Sequence, residues 1–254
     1  MNEGRKPVRR KKGFTLTELL VVMGIIALLA AVLFPVFVHT RAAGYQATCA
    51  SNLKQIGIAM QMYCQDNNDA IFPALPHADD SGIAEWCFYK VISPKLYCDK
   101  SRGPLIPYLK TSDVWECPSK PASQIPYGIN HNLVRAQIAA NKPIQLADLT
   151  STSETILVTD FAPLPPTLWW EAEPYVYPPS RRDPEVSGRH FGQANVLWFD
   201  GHVATKKPVA SYPVQSGGTE ITPGQLQRMD QGDILKGSYT GNAQQDDYYF
   251  VLSK

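Results

Sequence analysis

Charge is what the stretch of this chain after Lys12 lacks. Between Lys12 and Arg41 the only formal charge is Glu18, and the twenty residues from Leu19 to Val38 carry none. An amphipathic core helix rarely runs five turns without a polar face, so this absence argues against a soluble helix. At about 1.5 Å per residue the run spans roughly 30 Å, the thickness of a bilayer's hydrocarbon core. Missing as well are a Gly-rich phosphate loop, a paired Cys-x-x-Cys, a Ser–His–Asp spacing motif and any internal repeat. Those absences leave no sequence ground for reading the chain as an enzyme.

Basic residues are scarce beyond the N terminus. Of 24 basic and 23 acidic residues, the first twelve positions hold six basic ones (Arg5, Lys6, Arg9, Arg10, Lys11, Lys12) and one acid, Glu3. From Gly13 onward 18 and 22 remain, a net of −4. A mildly acidic body has no electrostatic footprint for nucleic acid, and direct nucleic-acid binding is not expected. The basic cluster should stay cytoplasmic, which puts everything after residue 39 outside.

A cleavable secretory signal peptide would also show a basic start and an apolar stretch, with Ala27 or Ala30–Ala31 as its small-residue cut. The apolar run continues past them through Val32, Leu33, Phe34 and Phe37, where a polar cleavage region should begin. No lipoprotein-type cysteine is present, since the first Cys is Cys49.

The segment Lys12-Gly13-Phe14-Thr15-Leu16-Thr17-Glu18-Leu19-Leu20 decides between these readings. It resembles the prepilin-type cleavage and methylation segment of type IV pilins and type II secretion pseudopilins. That family has a short basic leader, Gly at the cut, usually Phe next and Glu at the fifth mature position. Here Gly13, Phe14 and Glu18 stand at those places, and Pro35 stands where many members carry proline. Thr17 and Gly24 depart modestly from the commonest residues. The resemblance implies cleavage after Gly13 by a prepilin peptidase, N-methylation of Phe14, and assembly with other pilin or pseudopilin subunits on an inner-membrane platform driven by an ATPase. It also implies a single-pass protein of the cytoplasmic (inner) membrane, N terminus inside and head outside, that passes into a filament in the periplasm or at the cell surface. A tethered envelope binding module, using the leader only for export, is the rival. A membrane-anchored metal-dependent hydrolase is a third reading.

Elementary chemistry accounts for these residue types. Gly13 lets the backbone enter a protease cleft beside the membrane. A carboxylate at Glu18, one turn into an apolar helix, costs a few kcal/mol on insertion scales unless paired. The new α-amino group of Phe14 on a neighbouring subunit would be its partner, and the pair would set the register of packed helices.

The helical pattern continues past the membrane, with Cys49, Leu53, Ile56, Met60 and Tyr63 forming one apolar stripe. The expected organisation is a leader at 1–13, a transmembrane and polymerisation helix at 14–40, and an extracytoplasmic head at 41–254. The helix should continue over 41–66, bent at Pro35, and end at Asn67-Asn68-Asp69. Twenty-one prolines and 17 glycines point to a loop-rich head. Its sheet is expected over about 155–206, from Thr155–Thr159 and from a two-residue hairpin at Asp200-Gly201 between Val196–Phe199 and His202–Thr205. Tyr248–Leu252 is a further strand candidate, Tyr127-Gly128-Ile129-Asn130 reads as a turn, and 161–186 reads as a long loop. The fold class is α+β, pilin-like: a long N-terminal helix packed on an antiparallel β-sheet head.

Three further segments resemble pilin-like proteins with a processing-associated His–nine residues–Asp-Gly region. They are Ser51–Asn67, Trp115-Glu116-Cys117-Pro118-Ser119, and Arg189-His190 with Asp200-Gly201-His202-Val203. His190, Asp200 and His202, with Asp160 nearby, could hold calcium or zinc, but turn geometry and cross-strand bonding explain Asp200, Gly201 and His190 without an ion or catalysis. No cofactor is expected. Cys87 and Cys98 enclose ten residues and suit a local disulfide. Cys49 and Cys117 are a second candidate pair, implied by their joint occurrence in the resembling proteins; Cys64 is left as a buried thiol. Trp169 and Trp170 among the prolines read as packing over a sheet edge rather than as a ligand surface.

Overall fold

The computed structural model describes residues 15–72, 77–79, 82–84, 86, 89–91, 97–119, 126–140, 142–165 and 174–252. Its internal contacts divide the chain into two compact units, Met1–Arg41 and Ala42–Lys254. One helix, α1 (Leu16–Asp66), contributes to both, with Pro35 inside it. Among the described residues of the first unit the large apolar side chains are bare; Leu28 is 70% and Phe34 73% exposed. A helix closes its own backbone hydrogen bonds, so such a surface suits lipid or other apolar helices rather than water.

From residue 42 onward α1 changes character. Cys49, Leu53, Ile56 and Met60 are wholly buried and Tyr63 is half-buried. Each fully buried aliphatic side chain of this kind contributes about 1.5–3 kcal/mol. The helix ends where expected. Asn68 and Asp69 turn into the left-handed region, and Asp69 N–H donates back to the Cys64 carbonyl at 2.8 Å.

Four short strands follow as an antiparallel meander: β1 (His77–Asp79), β2 (Gly82–Ala84), β3 (Tyr89–Val91) and β4 (Tyr97–Asp99). Next come β5 (Tyr127–Asn130), α2 (His131–Ala140), β6 (Ile156–Asp160), β7 (Tyr175–Val176), β8 (Val186–Ser187), β9 (Ala194–Trp198) and β10 (Val203–Lys206). The tail adds β11 (Val214–Ser216), β12 (Thr219–Ile221), α3 (Pro223–Arg228), β13 (Gln231–Gly232) and α4 (Ala243–Asp246). The main sheet has the order β10-β9-β6-β5-β7, antiparallel except for β5 with β7. A long N-terminal helix and an antiparallel-rich sheet make the chain α+β. One face of the sheet, through Ile129, Val158 and Leu197, shares a core with Leu53, Ile56 and Met60 of α1. The other face packs Ile156, Phe161, Val196 and Trp198 against Val186 and Phe250. Both faces are covered, so β6 and β9 are buried along their whole length instead of at alternate residues, and Thr159, Asp160 and Asn195 are buried with their apolar neighbours.

Four expectations need correction. Tyr127–Asn130 is an inner strand, not a turn. Gly128 suits this strand because a Cβ would sit 2.6 Å from Val176 Cγ2. Tyr248–Leu252 is not a strand: Phe250 N–H turns back to the Asp247 carbonyl, though Tyr249 O still accepts from Ile156 N. The stretch 161–186 is not wholly loop, since it contains β7. Finally, the Asp200-Gly201 hairpin has a three-residue loop, Phe199–Gly201. Trp198 N–H donates to the His202 carbonyl, Gly201 N–H donates to the Trp198 carbonyl, and only Gly201 has positive φ, +84°. That is a type I turn followed by a left-handed residue, not a two-residue turn.

The loop is also tied to α1, because Lys54 Nζ donates to Gly201 O at 2.7 Å and Gln61 Nε2 to Asp200 O at 3.2 Å. Gly201→Val places a β-branched residue in the left-handed region, at a cost of about 1–3 kcal/mol. The new Cβ would also meet Gln61 Nε2 at 2.8 Å. Thermal unfolding of the detergent-solubilised chain should show a melting point several degrees below the parent's; equal melting points would refute the turn assignment.

Candidate functional site

The leader 1–13, Gly13 and Phe14 lie outside the described residues, as do Cys87, the Cys98 side chain, Trp169 and Trp170. What is described begins with a cap. Thr15 precedes the first turn of α1, and its N–H and Oγ1 donate to Glu18 Oε2 at 2.9 and 2.7 Å. Glu18 N–H returns a bond to Thr15 Oγ1 at 3.2 Å. This reciprocal arrangement is a capping box, and its Thr-x-x-Glu spacing is the sequence signal for it. Glu18 therefore has a local role before any neighbour arrives.

Residues 8–34 match the prokaryotic N-terminal methylation motif. The match takes in part of the basic leader, Gly13, Phe14, Glu18 and the apolar run to Phe34. A methylation motif of this kind supports a type IV pilin-like prepilin segment, which implies processing by a prepilin peptidase and assembly with other pilin subunits. With the exposed apolar helix that follows, it is consistent with anchoring in the inner membrane. Neither the curated proteins nor the solved structures include a match to the chain.

Within the head, the structure separates the residues that sequence had grouped. Asp200 and His202 pair locally at the hairpin, where Asp200 Oδ1 is 2.6 Å from His202 Nδ1 and accepts from His202 N–H at 3.0 Å. His190 lies elsewhere, buried in a backbone bridge with Gln193. Its Nε2 is 3.5 Å from Asp160 Oδ2 and 3.8 Å from Cys117 Sγ, and its Nδ1 is 3.5 Å from Ser119 Oγ. Cys49, from the buried stripe of α1, completes the group; the donor atoms of Cys49, Cys117 and His190 lie within 4.8 Å of one another. Cys49 and Cys117 are thus brought together as free thiols, and Cys64 is a third buried thiol beside Met60. Only chain folding joins them, since Cys117 follows a 3-10 turn (Ser112–Trp115) and His190 follows β8.

The electrostatics of this cluster are asymmetric. A hydrogen bond from Cys49 holds the Cys117 thiol well below its ordinary range, with His190 and Arg189 pulling the same way against burial. The same bond and burial push the Cys49 thiol up. Burial raises the Asp160 carboxyl to about 6 despite Arg189 and His190. Asp160 Oδ2 accepts from Asn195 N–H at 2.7 Å, whereas its buried Oδ1 has no hydrogen-bond partner.

A second buried acid lies in the tail. Asp233 accepts from Tyr212 Oη, and burial raises its carboxyl to about 7, with Asp247, Asp183 and Asp246 adding to the rise and Tyr212 opposing it. In the unfolded chain it should titrate near an ordinary Asp, about 3.9. The folded state therefore holds this proton more tightly, and stability falls as pH rises from about 4 towards 7. Asp233→Asn carries no such titration. Its melting point relative to the parent should climb across that window and level off above it; a gap that does not change with pH would show that Asp233 is unperturbed.

Proposed function

We propose that the chain is a structural, pilin- or pseudopilin-like subunit of a type IV filament or type II secretion-type system. A prepilin peptidase cuts it after Gly13, Phe14 becomes the N-methylated terminus, and α1 both anchors the precursor and packs against other subunits. An inner-membrane assembly platform and its ATPase motor are the expected partners. The observation that carries this reading is the methylation motif over residues 8–34, continuous with a helix whose apolar side chains stay uncovered to Val38. A helix so apolar needs lipid before assembly and other helices after it.

Processing is tested by the mature terminus. Mass spectrometry should find N-methylated Phe14, and Gly13→Phe should leave a full-length precursor in the membrane. A terminus near Ala31 would show that an ordinary signal peptidase acts instead.

Assembly is tested at Glu18, where the capping box makes two substitutions informative. Glu18→Gln keeps a capping side chain but removes the charge, whereas Glu18→Ala removes both. Pairing with a neighbour's Phe14 amine requires the charge, because attraction between ions in an apolar setting is what offsets their desolvation. Co-expressed with the assembly machinery, both variants should insert, yet both should be depleted at least tenfold from sheared filament fractions. Full incorporation of Glu18→Gln with loss of Glu18→Ala would reduce Glu18 to a helix cap. Absence of the parent from any filament would count against the subunit reading.

A further inference from the structure

We infer that Cys49, Cys117 and His190 form a structural zinc site that staples α1 to the head. Two sulfurs and an imidazole are a donor set suited to this ion. For ligands at ordinary zinc distances in a tetrahedron, sulfur and nitrogen should stand roughly 3.6 Å apart. Cys117 Sγ and His190 Nε2 are 3.8 Å apart, and Cys49 Sγ lies within 4.8 Å of both. Small side-chain movements bring the three onto one ion.

The surroundings supply what such a site needs. Ser119 Oγ is 3.5 Å from His190 Nδ1, placed to accept its N–H and hold Nε2 towards the sulfurs. Asp160, wholly buried, sets Oδ2 3.5 Å from Nε2 and leaves Oδ1 without a hydrogen-bond partner. It is the acidic group beside His190, placed to reach the ion through a water. Charge also closes: two thiolates neutralise the divalent ion, and the Arg189 guanidinium, which pulls on both Asp160 and Cys117, offsets the carboxylate. A disulfide between the cysteines would use the sulfurs but leave Asp160 Oδ1 with nothing to bind. All three ligands are at most 3% exposed, as befits a closed structural site rather than a catalytic one. Binding releases to solvent whatever protons the two thiols still carry and involves no redox change.

The test uses the full chain, purified in detergent without chelator. Elemental analysis and native mass spectrometry should find about one zinc per chain. Exchange for cobalt(II) should produce thiolate-to-cobalt charge-transfer and tetrahedral ligand-field absorption. Cys117→Ser and His190→Ala should each lower zinc content at least fivefold, whereas Cys64→Ser should leave it unchanged. Should the ligand variants fail to fold, the parent still decides: zinc released on thiol modification should equal the zinc bound, with Cys49 and Cys117 among the sites modified. Metal-free parent that takes up neither zinc nor cobalt(II), a Cys49–Cys117 disulfide in peptide maps, or full zinc content in Cys117→Ser would each overturn the proposal.

Discussion

The buried face of α1 from Cys49 to Cys64 is the surface on which the head is built. A helix with a continuous apolar stripe must cover it, and the main sheet does so with Ile129, Val158 and Leu197. Trp86 and Trp115 fill the flank beside Phe72, Trp86 standing edge-on to Trp115 at 5.4 Å. Polar residues of the same helix then hold loops by their backbone: Asn52 Nδ2 donates to Glu116 O at 2.8 Å, next to Cys117, and Lys54 and Gln61 hold the hairpin. Hydrophobic burial provides the force, and these directional bonds choose which loops lie where.

The same helix meets the opposite demand before residue 42. There its large apolar side chains are exposed, a surface suited to lipid or to other apolar helices. A single helix thus joins a length that folds a head to a length that needs another medium. The capping box at Thr15 and Glu18 lies at its start, where unpaired N–H groups would otherwise face an apolar environment. Glu18 can satisfy that local need in the free subunit and still offer a carboxylate to a neighbour.

The head also carries more buried acid than its composition suggests. Asp160 and Asp233 each set one oxygen in a hydrogen bond and leave the other without a partner. Such groups cost stability when charged and unpaired. Asp233 answers this by holding its proton, whereas Asp160 sits beside Arg189 and His190, where a bound cation would favour the charged form.

By itself the sequence determined the features that depend on neighbours along the chain. An uncharged run, a basic leader, Gly13-Phe14 and Glu18 are local patterns, and so are the stripe from Cys49 to Tyr63 and the helix stop at Asn67–Asp69. A strand at 156–160 and a hairpin at 194–206 were legible for the same reason, although the loop length was not, because Asp200-Gly201 fits either turn. Tertiary structure decided whatever depends on approach across the chain. Tyr127–Asn130 reads as a turn until Val176 is seen packed against Gly128, and Tyr248–Leu252 reads as a strand until the Asp247 turn breaks its extended backbone. The His–nine residues–Asp-Gly resemblance sets His190 with Asp200 and His202. The fold instead sets it against Cys49 and Cys117, which lie 141 and 73 residues away, since distance along a chain says nothing about which side chains a packed core brings together.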